Sequence, residues 1–390
     1  MQRIAIVTTV WKYLSHAQHI GDRFLVGYPK EGRWYKPDMQ VVSLYVDQRP
    51  TGDQSRERAK EFGFEVYPTI AGALCCGGDK LAVDAVLIIG EHGNYPRNEK
   101  GQILYPRYEF FKQCVEVFEK NHRAVPVYND KHLSYSFEKA KWMVEASRRL
   151  NFAFLAGSSL PVTWRLPDLE LPLGCRIESA LMVGVGGSDP MDYHALEAMQ
   201  SMIERRQGGE TGVRAVQMVE GDAVWEAADS GRWPKELLIA ALSRSDSPQG
   251  LTLADGRTQD LVGSGELRRL VKNPAAYFIE HNDGLRTTLL MLNGAVADFN
   301  FAARVKGLGV VSTQFLLSPV PNVTYSACLV DKIEETFRTG KAPYPVERTW
   351  IVSGMLESCL TSRAQGAKLL RTPHLDVRYQ APRHSNHARS

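Results

Sequence analysis

Two rhythms of apolar and polar positions run along this chain, and the place where one gives way to the other divides it. Residues 3–9 are a β-branched apolar run, and the segment opened by Ser15 has the spacing of a helix ending near Gly27. The strand signal returns at 39–46 and ends at Asp47, after which 54–62 is charged and helical with Gly63 as its stop. A short strand at 65–67 leads into a small helix that ends at Cys76-Gly77-Gly78. The run 82–90 is a continuously apolar strand, 108–120 a helix, 124–128 a strand, 138–150 an amphipathic helix and 152–156 a final strand. Apolar strands alternating with helices predict a parallel sheet covered on both faces. The first 157 residues therefore read as a doubly wound, Rossmann-like domain.

Pro161, Pro167 and Pro172 break this grammar. Beyond them, 176–185 and 213–219 read as strands around a helix at 192–206, while 275–281 and 285–292 flank an Asn282-Asp283-Gly284 turn, and 298–305 and 310–317 continue the run. The class expected is α/β plus α+β: a Rossmann-like domain (1–157), then a C-terminal domain (158–379) with a large, mostly antiparallel open sheet. The polar stretch 241–266 reads as an inserted loop, and 380–390 as a flexible basic tail that takes His384 and His387 with it. Strands 285–292 and 298–305 hold more apolar residues than one covered face requires, which predicts a homo-oligomer.

Composition narrows the partners. Apolar residues make up 44% and charged residues 23%, the balance of an ordinary globular protein. Lys plus Arg number 47 against 44 Asp plus Glu, a net charge of +3 that gives no reason to expect nucleic acid or an anionic membrane. A small-molecule substrate is expected instead. The six cysteines form no C-x-x-C pair, which suits reduced thiols in a cytoplasmic protein. The apolar stretch at the N-terminus is too short for a membrane span.

Open parallel sheets bind ligands beyond the carboxyl ends of their strands. Two segments at such ends concentrate titratable groups: Glu91-His92-Gly93-Asn94-Tyr95-Pro96-Arg97 and Asn129-Asp130-Lys131-His132. Their structural alternative is that Glu91 and Asp130 cap helices or pair with Arg97 and Lys131. Glu91, His92, Asp130, His132, His194 and Glu197 also offer a two-His-one-carboxylate set for a divalent metal, though without H-E-x-x-H or comparable spacing. Ser158, Ser159 and Trp164 stand where a cleft would open, and Gly157-Ser158-Ser159 serves equally well as a plain turn. Neither a G-x-S-x-G elbow nor a G-x-x-x-x-G-K-[ST] loop occurs, which lowers hydrolase and kinase readings.

The order of parts resembles the Gfo/Idh/MocA oxidoreductases. Asn129-Asp130-Lys131 stands where that family usually has Glu-Lys-Pro, and Asp192-Tyr193-His194-Ala195-Leu196-Glu197 where it usually has a His followed three residues later by Asp. Tyr344-Pro345-Val346-Glu347-Arg348, with Ser362 and Gly366 beyond, is similar to the start of its C-terminal helix. The resemblance implies NAD(P)-linked oxidoreduction of a sugar, cyclitol or related polyhydroxylated molecule. Lys131 and His194 then assist proton transfer, with Asp130 and Glu197 beside them, and Thr9, Asp47, Glu91 and His92 lie on the cofactor side. One departure stands against NAD(P). The first turn, Thr8-Thr9-Val10-Trp11-Lys12-Tyr13-Leu14-Ser15-His16, contains no glycine, and Trp11 and Tyr13 are expected to crowd a pyrophosphate seated there. Two alternatives follow: a lyase, isomerase or hydrolase on the same fold without free NAD and with a possible metal, and a non-catalytic binding or partner subunit.

Overall fold

The computed structural model describes residues 1–187, 189–246 and 261–389. A six-stranded parallel sheet is built in the order Glu65–Val66, Met39–Val46, Gln2–Thr8, Ala85–Ile89, Val127–Asp130, Phe154–Gly157. The chain adds strands outward from Gln2–Thr8 in one direction and then, from Ala85–Ile89, in the other. This switch point lies where the carboxyl ends of two central strands splay apart to leave a crevice. Ile4 to Val7 and the whole of Ala85–Ile89 are shut off from solvent because helices cover both faces. Arg107–Asn121 and Phe137–Arg149 pack on one face. The other carries Asp22–Val26, extended at its start by the π-helical turn Ala17–Gly21, together with Tyr325–Thr339 from the far half of the chain.

The second sheet has eight strands in the order Leu370–Arg371, Val213–Glu220, Ala275–His281, Arg286–Met291, Ile177–Gly184, Phe299–Val305, Gly309–Phe315, Arg165–Leu166. Every pairing is antiparallel except Ile177–Gly184 with Arg286–Met291. The fold class expected from the sequence therefore holds. Asp189–Ile203 and Glu347–Ala364 cover the inner face. Glu347–Ala364 also ties the two sheets together. Arg348 forms a buried ion pair with Glu204 (2.5 Å), Glu357 accepts from the Phe137 amide (2.6 Å), and a Cβ on Gly354 would collide with Phe137 and Leu375.

Two expectations change here. The apolar excess on the second sheet, which suggests an oligomer surface, has its cover within the chain. Leu181, Val183, Phe278, Leu290 and Ala302 pack against Val224, Leu237 and Leu238 of the helices Asp222–Asp229 and Lys235–Leu242, and against Trp233 between them. Lys235–Leu242 runs into the stretch 241–266 and Glu266–Leu270 lies at its other end, while positions 247–260 lie outside the described residues. The segment 380–389, expected as a free tail, is instead docked. His387 bonds Asp168 (2.6 Å) and Ser385 (2.5 Å), the Ala388 amide reaches the Val162 carbonyl (2.9 Å), and the His387 side chain is fully buried. Arg389 and His387 meet acidic partners, Asp168 and Glu170, just after the strand Arg165–Leu166.

Candidate active site

Beyond the carboxyl ends of the parallel strands, side chains from six elements surround one cavity of about 120 Å³. His16 and His19 come from the first turn and helix, His92 from the loop after Ala85–Ile89, and Asp130 from the end of Val127–Asp130. Ser158 and Ser159 follow Phe154–Gly157, His194 projects from Asp189–Ile203, and Tyr325 and Ser326 begin Tyr325–Thr339.

Behind the wall lies a buried charge cluster. His16 Nδ1 is 2.7 Å from Asp130 Oδ2, and Lys131 Nζ is 3.3 and 3.2 Å from the two ring nitrogens of His16. Lys131 Nζ also lies 3.9 Å from Glu91, whose carboxylate pairs with the buried Arg107 guanidinium. Two carboxylates thus face two fixed cations, and His16 joins them to the cavity. Burial on its own would raise the pKa of Asp130 and Glu91. For Asp130 the nearby charges of His16 and Lys131 outweigh burial, for Glu91 those of Lys131 and Arg107, and both groups stay ionised well into acid.

The remaining histidines of the wall have the opposite character. Burial, reinforced by the charge of His16, pushes His92 down to about 4 and His19 down to about 3. His194 falls well below its ordinary value through burial and then the charges of Lys131 and His16. All three imidazoles are neutral at neutral pH. His194 Nδ1, His92 Nε2 and His19 Nε2 are buried without a hydrogen-bond partner among the described residues. A buried imidazole nitrogen with nothing to bond is costly unless a ligand or water completes it. His92 also holds a left-handed backbone (φ 69°), an uncommon conformation for a side chain of this size.

The candidates from the sequence divide accordingly. Asp130, His92, His194, Ser158 and Ser159 line the cavity, and Lys131 and Glu91 stand directly behind it. Glu197 does not reach it. Its carboxylate accepts from the Ser158 amide (2.8 Å), Tyr193 (2.9 Å) and Thr349 (3.2 Å), and it fills the space left by the absent Cβ of Gly157. It holds the end of the last parallel strand against the second half of the chain. His132 pairs with Asp189 (3.2 Å) and so fixes the start of the helix that carries His194. Asp192 is pushed up to about 6, chiefly by burial, and accepts from Tyr277 (2.5 Å) outside the cavity. Trp164 also lies off the wall, its carbonyl bonding the Leu316 amide (3.0 Å). His16, His19 and Arg107 are the residues that sequence reasoning missed. The available signal was the turn itself, where His16 occupies the position facing the ligand space.

That turn decides how a dinucleotide would fare. Trp11 is not in the ligand space but fully buried, stacked near Phe64 and in close contact with Gly21, so the expectation that it crowds a pyrophosphate is corrected. The obstruction has another form. The pairing of the first two strands continues past their ends, with Asp47 N bonding Thr8 O (3.0 Å), Gln48 N bonding Thr9 O (2.8 Å) and Gln54 N bonding Trp11 O (2.7 Å). Over the same crevice lies the loop after Ala85–Ile89. Thr9 donates to the Glu91 carbonyl (2.5 Å), Tyr95 to Asp47 (2.7 Å), and Gln48 exchanges two bonds with Asn94 (2.9 and 3.0 Å). Thr9 and Asp47, the sequence candidates for cofactor binding, are engaged by the chain's own residues. The arrangement does not fit a dinucleotide in the usual pose. Among the described residues, no three His, Cys, Asp or Glu side chains are placed to hold a metal ion, and no helix is long and apolar enough to cross a membrane.

No family model and no curated protein matches this sequence. Solved structures do. GenD2 from gentamicin A biosynthesis, in complex with NAD, aligns at a TM-score of 0.57 with 13% identity over 95% of this chain and 97% of its own. Myo-inositol 2-dehydrogenase from Lactobacillus plantarum aligns at 0.55 with 13% identity, covering 95% and 99%. Myo-inositol dehydrogenase from Lactobacillus casei, in complex with NAD(H) and myo-inositol, aligns at 0.54 with 10% identity, covering 95% and 96%. At such identities the likeness is one of architecture, and in architecture the chain has the Gfo/Idh/MocA fold.

Proposed function

We propose that this chain is an enzyme of sugar or cyclitol chemistry that moves a proton next to a carbonyl, as an isomerase or lyase, rather than passing a hydride to a free dinucleotide. One observation carries this reading: neutral imidazoles with unbonded nitrogens and the ionised Asp130, joined through His16 to Lys131, meet at a single small cavity, while the chain's own loop lies over the dinucleotide crevice. His194, neutral and with a bare Nδ1, takes a proton from the carbon beside the carbonyl. The Lys131, His16 and Asp130 set supplies a proton to the carbonyl oxygen or to a departing hydroxyl, with Asp130 orienting the His16 ring as a carboxylate orients the imidazole in other proton-transfer sites. Exchange of one proton at each end balances an isomerisation, and loss of water balances an elimination. Ser158 and Ser159 offer hydroxyls to a polyhydroxylated ring.

A second reading, NAD(P)-linked oxidation of such a ring, draws support from the NAD-bound dehydrogenases that share the fold. It requires Tyr95 and Asn94 to leave Asp47 and Gln48. The experiment is incubation with aldoses, ketoses and keto-inositols in deuterated water, with and without NAD(P). Deuterium entering at the carbon beside the carbonyl, or loss of water, without added cofactor supports proton transfer. Turnover only with NAD(P), accompanied by a change in nicotinamide absorbance, refutes it in favour of the second reading.

A further inference from the structure

The active-site cavity has a neighbour that the chemistry above does not use. A larger pocket of about 420 Å³ lies between the first helix, the hairpin Tyr28–Lys30/Arg33–Tyr35 and the loop before Tyr325–Thr339. His19 lines both cavities. Its ring centre is 6.1 Å from that of His16, so the larger pocket begins one side chain away from the proton-transfer set.

On the outer wall stands Trp34, with 68% of its surface exposed. Its indole N–H is already satisfied by the Val26 carbonyl (2.9 Å), so what it presents outward is the apolar ring. The ring is held in place. Gly27, at φ 95°, lets the hairpin fold back so closely that a Cβ there would collide with the Tyr35 carbonyl and come within 2.9 Å of the indole nitrogen. The hairpin is pinned in turn to Tyr325–Thr339, through Tyr28 and Tyr35 on Glu334 (3.0 and 2.5 Å) and Lys30 on Asp331 (2.5 Å). Opposite the indole, Arg23 spans the pocket floor, bonding the Asn322 carbonyl (2.7 Å) while its Nε is buried without a partner among the described residues. A rigid exposed aromatic face beside polar groups such as Arg23 and His19 is the chemistry that binds a pyranose ring, whose C–H face stacks while its hydroxyls bond at the edge.

We infer that the larger pocket is a second saccharide subsite, so that the substrate is a glycoside or disaccharide with one ring in the histidine cavity and the next stacked on Trp34. This rests on the sugar-directed reading proposed above. The reacting ring would take the smaller cavity, and the linkage would pass His19, which lines both.

The test is 19F NMR of protein labelled with 5-fluorotryptophan. The seven tryptophans give separable signals, and Trp34→Phe identifies the relevant one. Cellobiose, maltose and trehalose are titrated beside glucose. The expected result is a saturable shift of the Trp34 signal with at least one disaccharide. Trp34→Ala should lower the ratio of disaccharide to glucose affinity by about three- to ten-fold, the range of an aromatic stacking contact. An unmoved Trp34 signal with all three disaccharides, or an unchanged affinity ratio in Trp34→Ala, overturns the inference. So does a shift that follows protein concentration rather than sugar, which would assign the indole to contact with a second copy. Failure of the proton-transfer reading is separate: disaccharide seated on Trp34 with no proton exchange or water loss would keep the subsite and remove the chemistry.

Discussion

Asp130→Asn removes one charge and almost no volume from the centre of the buried cluster, so its effect reports directly on the electrostatics. The Asp130 side chain is 2% exposed and lies 2.7 Å from His16. The Lys131 ammonium lies against the same His16 ring, so the carboxylate is attracted by a fixed cation in a setting of low dielectric constant. Desolvation offsets much of this, and breaking a buried pair by removing one partner costs about 3–5 kcal/mol, because the cations left behind are uncompensated. Urea unfolding at pH 7, followed by tryptophan fluorescence, should therefore show a lower midpoint for Asp130→Asn at unchanged slope. The pH dependence supplies a second check. Burial raises the Asp130 carboxyl, but the charges of His16 and Lys131 outweigh it and hold the folded value below the ordinary one. A group depressed in this way stabilises the fold fully above its unfolded value, about 3.9, and loses that contribution as the pH falls. The gap between parent and variant should thus hold from neutrality down to about pH 4 and narrow progressively as the pH falls below it. Equal midpoints at pH 7, or a gap that stays constant down to pH 3, would show that the cluster is not the charge balance described here.

Three further outcomes follow from the same geometry. Lys131→Met and His194→Ala should each lower kcat on a substrate found by the exchange screen by about a hundred- to ten-thousand-fold, with the double variant less than additive; near-parent rates in both folded single variants would remove the assignment. His92 and His387 are each held at about 4, in both cases first by burial, so the unfolded chain binds protons that the folded chain refuses. Their contribution is complete above about pH 6.5 and is lost as the pH falls towards 4, so His92→Gln should flatten unfolding midpoints across that window, and an identical slope in parent and variant would contradict it. Calorimetry with NAD(P) should give no saturable binding tighter than about millimolar, and micromolar affinity in the parent would mean that the loop bearing Tyr95 opens more readily than its bonds to Asp47 and Gln48 suggest.

Much of the fold was legible because it follows from burial. Strands such as Met39–Val46 and Ala275–His281 lie where the apolar runs placed them, and helices such as Ser55–Phe62 stop at glycines such as Gly63, which takes the left-handed conformation the stop requires. What the pattern missed is set by contacts distant in sequence. Nothing local shows that Lys235–Leu242 covers the second sheet or that Tyr325–Thr339 covers the first, since an amphipathic helix does not name its partner. The docking of Ser385 and His387 escaped for a related reason. A short polar segment has no hydrophobic period, and its order comes from Asp168 and Glu170, more than two hundred residues earlier.

The site follows the same division, with one instructive failure. Asp130, Lys131, His92 and His194 were recoverable because strand ends and a partial family motif point to them, whereas Arg107 opens the helix Arg107–Asn121 and His16 lies inside a turn whose one conspicuous feature is its want of glycine. A glycine-poor first turn was read as an ordinary turn made too bulky, with Trp11 thrust into the ligand space. In the structure the chain turns inward: Trp11 fills the core beside Phe64, the backbone of residues 8–11 goes on pairing with 47–54, and the helix starts at Ala17. The bend that removes the seat for a pyrophosphate is also what carries His16 over the end of Val127–Asp130 and onto Asp130 and Lys131. Under the reading proposed above, the missing pyrophosphate seat and the placing of His16 are thus one structural feature. The carbonyls of Thr8, Thr9 and Trp11 are bonded to the amides of Asp47, Gln48 and Gln54 in the same turn that presents His16, so the segment where a pyrophosphate would sit is spent on the chain's own pairing.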